Sequence, residues 1–269
     1  MKIDKELRQA IVKEQFCLYY QPVIDLASGH ILGAEALIRW NHPTQGLVGP
    51  DQFIRVAEDS DLIIPIGEWV IASAAHQAAK WNKISKQVLK VAINISSRQC
   101  GDNGKSIVKT LTKIVADEQL EPGMLEVEIT ESLLMGGEAK TINALQEIRD
   151  IGIGISLDDF GTGYSSLSYL KHFPISTIKI DRSFIRDVNT DKKDAQLVHA
   201  ILMMGKGLEI DVIGEGIEEP EHLAFLKQYG CKAGQGYYFS RPLPVHEFEA
   251  YLLQQGAIAD DSVTATANM

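Results

Sequence analysis

Cysteine is scarce in this 269-residue chain: Cys17, Cys100 and Cys231 are scattered, with no CxxC spacing. That excludes a disulfide framework and a thiolate zinc site, and it points to a reducing, cytoplasmic setting. The seven histidines (His30, His42, His76, His172, His199, His222, His246) show no HxxxH or HExxH spacing and read as surface or structural groups. No GxGxxG, Walker or GxSxG element is present, so a serine nucleophile is unsupported. No apolar run reaches the roughly 20 residues of a transmembrane helix. The opening Met1-Lys2-Ile3-Asp4-Lys5-Glu6 lacks the apolar stretch of a signal peptide. This segment is therefore expected to make no membrane contact, although a membrane-anchored parent protein is compatible with it. Positive charge is also short: 26 Lys and Arg against 36 Asp and Glu give a formal charge of −10. A DNA or RNA polymer is then a poor partner, and an anionic substrate needs bound cations or a placed arginine.

What is present is a soluble protein's apolar content, 45%, in a length that suits one α/β barrel of about 250 residues. No linker or charge block divides the chain, so one domain over 1–255 is expected. The segment 256–269, rich in Ala, Thr, Ser and Asp, reads as a disordered tail. A helix is expected over Lys5 to Glu14. Strands follow at Phe16 to Ile24 and Ile31 to Trp40, too close together for a helical crossover and hence antiparallel. Helical patterns then alternate with strands. Helices over Asp51 to Ser60 and Ile66 to Trp81 precede a strand at Val88 to Ile95. A helix over Ile107 to Glu118 precedes Met124 to Thr130, and one over Ala139 to Asp150 precedes Ile153 to Leu157. Ser165 to His172 precedes Thr177 to Ile180, and Asp191 to Gly207 precedes Asp211 to Glu215. Pro220 to Gln228 precedes a last strand near Lys232 to Phe239, and Pro244 to Gln254 closes the series. This many units favour a closed, mostly parallel barrel over a doubly wound open sheet.

Strand parity sharpens that reading. In Val91-Ala92-Ile93-Asn94-Ile95, Ile153-Gly154-Ile155-Ser156-Leu157-Asp158 and Thr177-Ile178-Lys179-Ile180-Asp181, aliphatics take one face and small or polar residues the other. Glu35, Leu37 and Arg39 share a face, as do Glu126 and Glu128. With helices covering the outside, the polar set points inward and converges at the strand C-terminal ends, where a barrel does its chemistry. Glu35, Asn94, Glu128, Asp158, Asp159 and Glu215 offer oxygen alone, which suits Mg²⁺ or Mn²⁺. Five carboxylates in one pocket repel one another, so two metals fit better than one, and such a centre suits phosphodiester cleavage. Arg39 could grip a phosphate with its planar fork.

Each residue has a blander alternative. A single Glu at a strand end is usually a solvated rim residue. Asp158-Asp159-Phe160-Gly161-Thr162-Gly163 could be a turn, Lys179 a rim ion pair, and Asn94 a cap for a helix starting near Ser96. Their joint occurrence in strand-end register weighs against reading them one at a time.

The runs Tyr20-Gln21-Pro22, Glu35-Ala36-Leu37-Ile38-Arg39-Trp40, Asn94-Ile95-Ser96 and Glu128-Ile129-Thr130-Glu131-Ser132 resemble those of the EAL domain of bacterial cyclic-di-GMP phosphodiesterases. So do Leu157-Asp158-Asp159-Phe160-Gly161-Thr162-Gly163-Tyr164-Ser165-Ser166-Leu167, Ile178-Lys179-Ile180-Asp181, Ile213-Gly214-Glu215-Gly216-Ile217-Glu218 and Gln235-Gly236-Tyr237. The resemblance spans roughly Leu7 to Leu253. It implies a modified TIM (β/α)8 barrel with one antiparallel strand, and hydrolysis of cyclic-di-GMP to linear pGpG with Mg²⁺ or Mn²⁺. It further implies Glu35, Asn94, Glu128 and Asp158 as ligands of one metal, and Asp158, Asp159 and Glu215 as ligands of a second. Glu35, Lys179 and Glu215 are the implied catalytic residues, with Lys179 orienting the attacking water. Gln21, Leu37, Arg39 and Gln235 are implied substrate contacts. Glu131 is the implied anchor of the loop Phe160 to Leu167, which in this family couples a homodimer interface to the metals.

Two departures stand out: Gly214 where the family usually has Ala, and Lys232-Ala233-Gly234 before Gln235. Both are expected to loosen the last strand without removing a ligand. No GGDEF motif is present, so cyclase activity is not expected. A non-catalytic cyclic-di-GMP receptor and a scaffold with a vestigial site are the alternatives, and intact ligand positions argue against both.

Overall fold

The computed structural model describes residues 2–100, 104–131, 133, 139–163, 170 and 172–258. Its strands are β1 (Phe16–Asp25), β2 (Ile31–His42), β3 (Gly46–Val48), β4 (Lys90–Asn94), β5 (Leu125–Thr130), β6 (Gly154–Phe160), β7 (Thr177–Ile180), β8 (Asp211–Gly214), β9 (Ala233–Gly234) and β10 (Leu243–Pro244). Eight of them close a barrel in the order β1-β9-β8-β7-β6-β5-β4-β2, with β2 returning to β1. β1 runs antiparallel to both neighbours, and the other pairs in the ring are parallel. The expected modified barrel with one antiparallel strand is therefore the fold, and the open-sheet alternative falls because the ring closes. β3 hairpins onto β2, and β10 pairs with β1 outside the ring.

The helices are α1 (Lys2–Val12), α2 (Ile54–Asp59), α3 (Ile63–Ile84), α4 (Lys105–Asp117), α5 (Ala139–Asp150), α6 (Arg182–Arg186), α7 (Lys192–Leu208), α8 (Pro220–Gln228) and α9 (Val245–Gln254). α3 shows why they pack on the sheet: Ile63, Ile66, Val70, Ala74, Ala78 and Trp81 recur at three- and four-residue steps and are buried. They share one buried core with the outward aliphatics of the strands, among them Ile93, Val127, Ile155 and Ile178. The core is thus a sleeve between strands and helices, and the polar strand residues are left to the barrel interior.

Some boundaries differ from expectation. The last strand is only Ala233–Gly234, not Lys232 to Phe239. A Cβ on Gly236 would lie 2.1 Å from the carbonyl oxygen of Ile217, so the chain presses there against the segment after β8 instead of extending along it. Packing runs past Gln255: Ala257 and Ile258 are buried, and Ile258 bridges to Ser85. The expected helix Ser165 to His172 and the tail from 259 onward fall mostly or wholly outside the described residues.

Candidate active site

The inward polar residues meet at the C-terminal end of the barrel. Glu35 comes from β2, Asn94 from the end of β4, Glu128 from β5, Lys179 from β7, and Glu215 and Gln235 from just past β8 and β9. β6 supplies Asp158 and Asp159 together, although strict alternation would point neighbours to opposite faces. Its register with β7 shifts between Leu157 and Phe160, and Asp159 takes a left-handed backbone (φ 53°). This bulge re-aims the second carboxylate, and Asp is among the few residues that accept that conformation readily.

Lys179 is the hub. Its fully buried Nζ lies 2.7 Å from Glu215 Oε1, 2.9 Å from Glu128 Oε1, 3.3 Å from Glu35 Oε2 and 3.3 Å from Asp158 Oδ1. Amides hold Glu35 from both sides: Asn94 Nδ2 donates to Oε1 at 2.8 Å, and Gln235 Nε2 donates to Oε2 at 2.7 Å. Gln235 Nε2 also donates to Glu215 Oε1 at 3.0 Å. Asn94 is therefore a partner of Glu35, and the turn Ser97–Cys100 that follows is 3-10 rather than α-helical.

The titration of the cluster follows from burial and neighbours. Burial alone would lower Lys179, but the surrounding carboxylates, Glu128 and Glu215 foremost, raise its pKa well above the usual value. Burial would raise Glu35, yet Lys179, Gln235 and Asn94 outweigh it and hold the carboxyl below the ordinary range. Burial and the neighbouring Glu35 push Glu128 well up. Burial, with Asp158 and Glu35 nearby, pushes Glu215 to about 8 against the pull of Lys179. Asp159 is raised by burial and by Asp158 and Asp181.

Five carboxyl groups crowd one ammonium, and Nζ has three hydrogens for the four carboxyl groups around it. Glu128 Oε2 and Asp158 Oδ1 are buried and receive no hydrogen bond from the described residues. Asp158, Asp159 and Glu215 offer oxygens that all lie within 4.8 Å of one another. Hard oxygen donors, carboxyl groups that a nearby cation would help to ionise, and a buried Glu128 Oε2 without a hydrogen bond together fit a divalent cation such as Mg²⁺ or Mn²⁺.

The remaining expected residues are more spread out. Leu37 lines a groove of about 710 Å³ beside the cluster, together with Asp51, Arg55, Glu58, Asn94 and Asp159. Gln21 is buried and donates from Nε2 to the Ser240 carbonyl at 3.2 Å, tying β1 to the segment after β9. Arg39 sits over the Tyr19 ring at 5.6 Å and donates to the Ile38 carbonyl, with no ion pair to the cluster among the described residues. Glu131 is buried with neither oxygen hydrogen-bonded by a described residue, and a Cβ on Gly163 would come within 2.7 Å of it. Half of the loop it was expected to anchor, 164–167, lies outside the described residues.

Sequence reasoning overlooked Glu58 and Gln99. Ser96 Oγ donates to Glu58 Oε1 at 2.7 Å, and Ser96 N donates to Gln99 Oε1 at 3.0 Å, bracing the turn after Asn94. Polar residues three apart after a strand-end Asn were the available signal.

The EAL domain family model matches residues 4–242. The chain is 44% identical over 254 residues to protein sll1895 of Synechocystis sp., covering 94% of this chain and 36% of that protein. It is 40% identical over 252 residues to the cyclic di-GMP phosphodiesterase NbdA of Pseudomonas aeruginosa, covering 94% of this chain and 32% of that protein. It therefore spans about a third of the length of these relatives. Among solved structures, the PaMucR phosphodiesterase in complex with c-di-GMP superposes with a TM-score of 0.88 at 38% identity, covering 92% of this chain and all of that one. Fold, strand-end site and sequence agree: this chain belongs to the EAL domain family.

Proposed function

We propose that the chain hydrolyses cyclic-di-GMP to linear pGpG with Mg²⁺ or Mn²⁺ bound at the carboxylate cluster. The observation that carries this is the ring of buried carboxylates around Lys179 at the barrel mouth, in a family with cyclic di-GMP phosphodiesterases among its relatives. Glu35, Asn94, Glu128 and Asp158 would hold one ion, and Asp158, Asp159 and Glu215 a second. Such ions lower the pKa of water and neutralise charge developing on phosphate oxygens. Lys179 donates to the attacking water and orients it toward phosphorus. Asn94 and Gln235 fix Glu35, so its carboxylate cannot swing away. Leu37 supports the substrate in the groove, while Gln21, Arg39 and Gln235 contact its polar edge, Arg39 suiting phosphate by its fork. In the net reaction water adds a hydroxyl to phosphorus, and its proton ends on the leaving sugar oxygen. Glu131 anchors the loop that begins at Phe160, and the working unit is a homodimer. Among the described residues no helix is long and apolar enough to cross a membrane, in keeping with a cytoplasmic catalytic segment.

The test is incubation with cyclic-di-GMP and Mg²⁺ or Mn²⁺, with product identified by chromatography. Appearance of pGpG that stops on chelation supports the reading. Tight nucleotide binding without pGpG would instead make the chain a receptor.

A further inference from the structure

The barrel interior below the active site is lined by small side chains. Barrels of this type usually fill that space with layers of bulky branched residues. Here Gly33, Ala92, Thr177 and Ala233 line a cavity of about 300 Å³ at the N-terminal end. Its lower wall includes the partly exposed Lys90, Asp211 and Lys232, and its lining also includes Glu128 of the active site. Within it, Glu126 is buried and pinned: Lys90 Nζ donates to its Oε2 at 2.7 Å and Thr177 Oγ1 donates at 3.1 Å. A Cβ on Gly154 would lie 2.8 Å from that same oxygen, so the small residue there keeps Glu126 in place.

One polar group between two of the lining residues, though not itself part of the lining, is unaccounted for. Ser156 is wholly buried, and its Oγ has no hydrogen-bond partner among the described residues. Parallel pairing aligns Glu128 with Ser156 and Ser156 with Thr177, so the three lie at one level of the barrel. Glu128 Oε2, at the same level, receives no hydrogen bond either. Thr177 has used its hydroxyl hydrogen on Glu126, but its oxygen can still accept. Buried polar atoms rarely stay unbonded, and a polar cavity with two to four such partners is where internal water settles. At about 30 Å³ per water in the liquid, the cavity has room for several.

We propose that Ser156 is a positioning residue that holds Glu128 from below through a water bound in the lower barrel. The water accepts from Ser156 Oγ and donates to Glu128 Oε2, fixing the carboxylate from the side opposite the substrate. Its kinetic consequence rests on the phosphodiesterase reading, and its structural content does not.

Two variants and one structure test it. Ser156→Ala removes the hydroxyl, and Ala92→Leu fills the cavity while leaving every proposed ligand in place. Each is expected to lower kcat about tenfold, the scale seen when a group supporting a ligand is lost, with KM changed less than about twofold. A crystal structure at high resolution is expected to show water within hydrogen-bonding distance of both Ser156 Oγ and Glu128 Oε2. A dry gap there, or wild-type kcat in folded Ser156→Ala, would overturn the proposal. Should Ala92→Leu fail to fold, Ser156→Ala still decides, since it deletes one atom. Should the wild-type protein form no pGpG, the proposed function falls and the crystallographic result alone judges this inference.

Discussion

Lys179 is held by more carboxylates than it can satisfy. Its ammonium contacts Glu35, Glu128, Asp158 and Glu215, and burial makes each ion pair depend on the others. Because the proposed task is to orient water and not to hold the nucleotide, Lys179→Ala should slow turnover by about a hundredfold or more. KM should move much less, and steady-state kinetics showing only an affinity defect would contradict that role. The same burial gives the metal-free protein a pH signature. Glu215 titrates near 8 when folded, against an ordinary 4.5, so the folded state binds its proton more tightly. Stability from this group is complete below about pH 4.5 and is lost as pH rises through 8. Glu128, also raised, adds in the same direction. The Tm of chelated protein should therefore fall between about pH 5 and pH 8, and Mg²⁺ should flatten the slope by favouring the ionised carboxylates. A Tm that rises across that window would exclude this picture of the cluster.

At the scale of elements, Glu249 on α9 fastens the end of the chain to α3. Its Oε1 accepts from Gln77 Nε2 at 3.1 Å, Lys80 Nζ at 2.8 Å and Trp81 Nε1 at 3.1 Å. Burial raises this carboxyl, but those donors more than offset it and hold its pKa below the ordinary value. Glu249→Ala leaves the buried Trp81 N–H without its acceptor, at a cost of about 1–3 kcal/mol. Urea denaturation should show a lower midpoint at unchanged slope, and an unchanged midpoint would mean that α9 is held by its apolar face alone. Elements also show what the sequence could reveal. The antiparallel β1–β2 pair was legible because Asp25 to His30 is too short for a crossover, and α5 and α8 because their apolar periodicity is clear. The β6 bulge was not, since alternation says nothing about where a register slips. α6 was also missed, although Asp181 caps it by accepting from Ser183 N, because five residues are too few to show a period. Gly214 proves to be a packing feature: a Cβ there would lie 2.6 Å from Leu226 Cδ1 on α8. Gly214→Ala should cost less than about 1.5 kcal/mol, since the end of a leucine side chain can yield, and thermal unfolding would measure it.

Across the whole molecule, seven parallel strands place their C-terminal ends in one ring, and β1 closes it antiparallel. That geometry gathers residues from Glu35 to Gln235, 200 positions apart, into direct hydrogen bonding. Most of this ring was legible in the sequence because period-two alternation, read through parallel pairing, fixes which residues share the interior. The hub role of Lys179 and the amide clamp on Glu35 were not, since distances between strands do not appear in any one strand. Glu35 touches Lys179, Asn94 and Gln235 at once, so its loss should disturb the whole cluster. The deciding measurement is pGpG formation from cyclic-di-GMP with Mg²⁺ or Mn²⁺, wild type beside Glu35→Ala. The wild type should produce pGpG steadily, and the folded variant should be slower by about a hundredfold or more. Equal rates in the two proteins, or no pGpG from the wild type, would contradict that expectation.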